Sequence, residues 1–147
     1  MNRIALQVTA REMSALIERI NRTWPVDEAR ALSEAAHAYA GKGVILEVAA
    51  RAGEAAPGNH DEAAPGDYDS EVRGWRTPLR LLLIAEPGSD AAAQLAYDDW
   101  AHWIAGGGLL VLSDADALYR RVAAGGKFRE LAAVGALRIL QRTAACN

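Results

Sequence analysis

Met13, Leu16, Ile17, Ile20 and Trp24 fall on one helical stripe, and Thr9 with Glu12 has the T-x-x-E spacing of a capping box just before them. This pattern predicts a helix over 10–22, ended by Pro25. Leu32, Ala35, Ala36 and Tyr39 repeat the stripe, and Gly41 and Gly43 supply a stop, so a second helix is expected. Three short runs, VILEVA (44–49), LRLLLIA (79–85) and LLVLS (109–113), are apolar on both alternations, as strands covered on two faces are. Ser89 or Asp90 can cap a helix whose face is Ala93, Tyr97, Trp100 and Ile104, and the glycines at 106–108 read as its stop. Ser113, Asp114 or Asp116 can cap a short helix containing Leu118, Tyr119 and Val122. The end of the chain, KFRELAAVGALRILQR, reads as two strands around Val134 and Gly135, a closing hairpin.

Helices alternating with buried strands give an α/β layered fold with a mostly parallel sheet. In such sheets ligands bind beyond the carboxyl ends of the strands. Those ends here are Glu47 to Gly53, Ala85 to Ser89, and Ser113 with Asp114.

Composition changes this picture in one place. Between Arg51 and Arg73 lie two prolines, six acidic residues and no basic one, so 56–74 is expected to be a solvated acidic loop. The 147 residues suit one domain with a single core. A net charge of −3 with scattered arginines argues against a nucleic-acid partner. The single cysteine, Cys146, has no second thiol to pair with, and no apolar run is long enough to span a membrane. A cytoplasmic protein with no membrane association is the expectation.

Two side chains stand out chemically. Asp114, after a strand and before a helix, reads first as an N-cap, a role compatible with a second one as a base. Glu47 lies inside an apolar strand and must meet a hydrogen-bonding partner, because an unpaired buried charge is costly. Gly106 to Gly108 are not a phosphate loop, since no Lys-Ser/Thr follows. Trp100 and Trp103 have the spacing of packing residues, and His37, His60 and His102 lie apart with no metal-ligand spacing.

EVAARAGEA (47–55), DWAHW (99–103), GGLLVLSD (107–114) and the final hairpin together resemble the small class I methyltransferases that use S-adenosylmethionine. The family pattern runs E-[IV]-G-S-x-x-G-x-S, I-D-G-D-H-x-Y, D-x-x-x-W and G-G-x-x-x-x-H-D. Glu47 and Gly53 match the first motif, with Ala49 at its first glycine; Asp99 and Trp103 keep the third; Asp114 closes the fourth, with Ser113 at the histidine. Ala85 stands in place of the second motif's aspartate, and the acidic loop occupies the interval of the family's middle strands.

The resemblance implies a Rossmann-like three-layer sandwich with a mostly parallel sheet of reduced strand number and a C-terminal antiparallel hairpin. It implies S-adenosylmethionine as cofactor, held around Glu47, Ala49, Gly53 and Ala85, with a ribose acid drawn from Asp61, Glu62 or Asp67. Asp114 would be the catalytic residue for methyl transfer to a small molecule, and no metal is implied because Asp114 alone supplies oxygen ligands. The departures at Ala49 and Ala85 imply an alternative of equal standing, a catalytically silent relative retained as a binding or assembly subunit. Loss of the middle strands would place VILEVA at or near a sheet edge, to be covered by the loop or paired with another chain, and a homodimer is expected.

Overall fold

A computed structural model describes residues 6–41, 43–50, 68–85 and 87–143. In chain order its elements are β1 (Leu6–Arg11), α1 (Met13–Thr23), α2 (Val26–Ala35), β2 (Ile45–Ala50), α3 (Tyr68–Gly74), β3 (Leu79–Ala85), α4 (Asp90–Trp100), β4 (Ile104–Ser113), α5 (Asp116–Gly125), β5 (Phe128–Val134) and β6 (Leu137–Arg142). A wide π-type turn, Ala36–Ala40, extends α2, and a tight 3₁₀ turn, Ala101–Trp103, joins α4 to β4.

The six strands form one sheet in the order β1-β2-β3-β4-β6-β5. The pairs β2–β3 and β3–β4 are parallel, while β1–β2, β4–β6 and β5–β6 are antiparallel. The sheet is therefore mixed, and the expectation of a mostly parallel one is corrected. The closing hairpin is present, and it folds so that the later strand, β6, lies against β4.

The central strands carry apolar side chains to both faces. Ile45, Leu81, Leu83, Leu109, Val111 and Ile139 pack against Leu16 and Ile20 of α1 and Leu32 of α2. Leu46, Val48, Leu82, Ile84, Leu110 and Leu112 pack on the other face, against Ala93, Ala96 and Trp100 of α4 and Leu118 and Val122 of α5. Each fully buried leucine or isoleucine contributes about 1.5–3 kcal/mol of transfer free energy, which is why unbroken apolar runs became interior strands.

Five local expectations are corrected. Leu6–Arg11 is a strand, so the Thr9 capping box does not form: Thr9 pairs with Glu47 across the sheet, and α1 starts after Glu12 with no side-chain cap. Pairing with β2 outweighs the local capping signal. VILEVA consequently lies next to the edge, and what covers it is β1 rather than the acidic loop or another chain. The proposed acidic loop includes a helix, α3, at 68–74, and residues 56–67 lie outside the described residues. The glycines at 106–108 do not stop α4. They sit inside β4, where one residue of β3 between Leu79 and Leu81 faces four of β4 between Ile104 and Leu109, a bulge. A Cβ on Gly108 would lie 2.9 Å from Ile104 Cγ2 and 3.0 Å from the Arg80 carbonyl oxygen, too close for a side chain. Finally, α5 is preceded by Ala115 with no side-chain cap, so neither Ser113, Asp114 nor Asp116 fills that role. The cap expected of Ser89 is present: its Oγ accepts the Ala92 N–H at 3.1 Å.

The β5–β6 turn has two central residues, the first of them Gly135 at φ 59°. A Cβ there would collide with the Glu28 carboxylate of α2, which accepts the next backbone N–H, that of Ala136, at 3.2 Å. Gly135→Ala is expected to cost about 1–2 kcal/mol from left-handed backbone strain, read as a lowered urea midpoint. A Glu28→Ala, Gly135→Ala double variant recovers only the part due to the collision.

Candidate functional site

The parallel strands β2, β3 and β4 end along one rim. Their registers place Ala49, Ala85 and Ser113 in a single row across the sheet, with Asp114 next in the chain. Glu47 lies two rows further in, beside Leu83 and opposite Thr9 of β1. The structure thus brings together four of the residues singled out in the sequence. The fifth, Gly53, lies outside the described residues, as do His60, Asp61, Glu62 and Asp67. Both connections leaving described rim tips, β3 to α4 and β4 to α5, turn to the same face of the sheet. A crevice opens where neighbouring connections turn to opposite faces, and these two do not.

Glu47 is 4% exposed and faces α1. Arg19, on the flank of the Leu16–Ile20 stripe, donates from Nη1 to Glu47 Oε2 at 2.8 Å, with its own side chain 39% exposed. The buried acid has the partner its position requires, and that partner is a guanidinium from the same chain. A carboxylate neutralised in this way has little field left for the cationic end of a ligand. Sequence reasoning demanded a partner for Glu47 without finding Arg19.

Asp114 ends β4 with φ 64°, the left-handed conformation that aspartate tolerates better than most side chains. Its backbone N–H donates to the Ala136 carbonyl at 3.1 Å, which ties the strand tip to the β5–β6 turn. The exposed Asp114 borders a cavity of about 170 Å³ shared with Leu112, Ala115, Asp116, Ala136 and Arg138. Arg138 donates to the Gly135 and Leu137 carbonyls at 2.7 and 2.9 Å, and its guanidinium lies 5.3 Å from the centre of the Tyr119 ring. Tyr119 donates to Glu130, and that hydrogen bond is the main reason its phenol is held above the ordinary tyrosine range. Asp116 pairs with Arg120 one turn along α5 at 2.8 Å.

A larger cavity, about 230 Å³, lies away from the rim between α4 and α5, with Tyr97, Leu118, Val122 and Lys127 among its walls. No three His, Cys, Asp or Glu side chains gather to hold an ion among the described residues. None of the described helices is long and apolar enough to cross a membrane.

The D-x-x-x-W pair separates into two structural roles. Asp99 accepts from the Tyr68 hydroxyl at 3.0 Å, and Trp103 is half-buried with its ring 5.4 Å from that of His102. The Tyr68 oxygen also accepts from Trp100 Nε1 at 2.9 Å. Tyr68 and Trp75 meet the Trp100 ring edge-on, at centroid distances of 6.2 and 5.4 Å, so this cluster fixes α3 against α4. No model of a protein family matches this chain.

Proposed function

We propose that the chain is a methyltransferase-like α/β domain, Rossmann-like in its layering, that serves as a binding or assembly subunit rather than as a catalyst. The observation that carries this reading is the Arg19–Glu47 pair. By the resemblance Glu47 would face the cationic end of S-adenosylmethionine, directly or through neighbouring backbone, and its carboxylate is held at 2.8 Å by an internal guanidinium. A carboxylate so held supports the non-catalytic reading over direct contact with that cofactor. The cavity beside Asp114, about 170 Å³, is also smaller than the roughly 300–1,000 Å³ of ordinary ligand sites.

The second reading, small-molecule methyl transfer, is favoured by the shared row of Ala49, Ala85 and Ser113 with Asp114 at its end. One titration separates the two. Isothermal calorimetry with S-adenosylmethionine and its demethylated product at millimolar concentration is expected to give no saturable heat. Saturable binding that weakens when Gly53 or Ala85 is replaced by a bulky residue would overturn the non-catalytic reading. In that case Asp114→Asn should abolish turnover while leaving binding in place.

A further inference from the structure

We propose that β1 is the surface on which two copies of this chain join, edge to edge, in an antiparallel two-fold pair that continues the sheet from one copy into the other. The inference needs only the sheet order and the pattern of β1, and it stands or falls separately from the methyltransferase-like reading.

The two edges of the sheet differ. β5 carries a register shift between Glu130 and Ala132 and exposes the charged Arg129 and Glu130. Bulges and charges of this kind discourage pairing with another chain. β1 has neither between Leu6 and Ala10: it runs in unbroken register with β2, and this stretch, LQVTA, contains no charged residue. Among the described residues no strand is paired to its outer side. An edge that is open among the described residues, regular, and uncharged over Leu6–Ala10 is a template for a further strand.

The pattern of β1 says which strand. Leu6 and Val8 turn to the face of α3 and α4. Residues alternate in direction along a strand, so Ala10 shares their face and Gln7 and Thr9 take the other. A two-fold axis perpendicular to the sheet keeps like faces together. With that axis at Val8, Val8 of one copy lies opposite Val8 of the other, Leu6 lies opposite Ala10, and Gln7 lies opposite Thr9. Apolar meets apolar, polar meets polar, and no charges of one sign are opposed. The segment has the same apolar and polar order from either end, as an isologous contact requires.

Light scattering on the full chain is expected to give about twice its 15.7 kDa mass. Cysteine scanning in a Cys146→Ser background tests the register. Directly opposed residues of an antiparallel pair have Cα atoms about 4.5–5.5 Å apart, within disulfide reach. Val8→Cys should therefore form a covalent dimer on mild oxidation. Gln7→Cys alone should not, whereas a mixture of Gln7→Cys and Thr9→Cys chains should cross-link to each other. If Val8→Cys perturbs folding, as circular dichroism would show, the mixed pair gives the same answer from the opposite face of the strand. A monomer at millimolar concentration, or Gln7→Cys linking to itself as readily as Val8→Cys, would overturn the proposal.

Discussion

Trp100→Ala is expected to lower the free energy of unfolding by about 3–5 kcal/mol, the cost of emptying a large aromatic site that cannot close up. Trp100 is fully buried where the end of α4 meets α3. Its loss removes the ring that Tyr68 and Trp75 both meet edge-on, together with the Nε1–H that donates to Tyr68. Urea unfolding gives the total, and hydrogen exchange gives its location. The amides of α3 should lose protection ahead of those of β3 and β4, because α3 has only seven residues and this cluster ties its first residue to α4. Tyr68→Phe isolates the hydroxyl and should cost about 1–2 kcal/mol, the range for a partly buried hydrogen bond. Equal protection of α3 in parent and Trp100→Ala would show that something other than this contact fixes the helix.

Arg19→Ala is the second large effect, with an expected loss of about 2–4 kcal/mol. Breaking a buried ion pair by deleting one member usually costs about 3–5 kcal/mol, because the remaining charge stays in a poorly solvated place. The value here is reduced because the Arg19 side chain is 39% exposed and water can approach that end. The pairing explanation makes a sharper claim about the double replacement. Arg19→Met with Glu47→Leu removes both charges while preserving bulk, and should be more stable than Arg19→Ala by most of the loss. Urea midpoints at unchanged slope are the measure. A double variant no more stable than the single one would mean that Arg19 acts through its packing against the sheet, not its charge.

The interior of this fold was legible because its strands are hydrophobic on both alternations. LRLLLIA and LLVLS have nowhere to go but between two layers of helices, and Gly135, just after Val134, marks the turn of the hairpin. β1 was hidden for the opposite reason. Its six residues alternate apolar and polar, but the run is short, and Thr9 with Glu12 offers a competing helix-start signal that only pairing with β2 overrides. The helix α3 was masked by acidic composition, although Tyr68, Val72 and Trp75 have the i, i+4, i+7 spacing of a helical stripe and do pack against the core. At the rim, the sequence could require that Glu47 be answered but could not choose Arg19 from 16 basic residues, since that choice depends on how α1 lies across the sheet. Asp114 illustrates a different limit. A polar residue between strand and helix suggests a cap, and the left-handed turn that displaces the cap to Ala115 depends on the bond from Asp114 to Ala136 in a turn 22 residues later.

The position of β6 bears on how this chain is made. Leu137–Arg142 is the last of the described strands in chain order, yet it lies inside the sheet, between β4 and β5. Until it emerges, the inner edge of β4 is bare along Leu109–Ser113, an almost uninterrupted aliphatic stretch. Synthesis that stalls just short of Leu137 leaves a nascent chain with five of the described strands made and an apolar border uncovered, a state in which a chaperone would be needed.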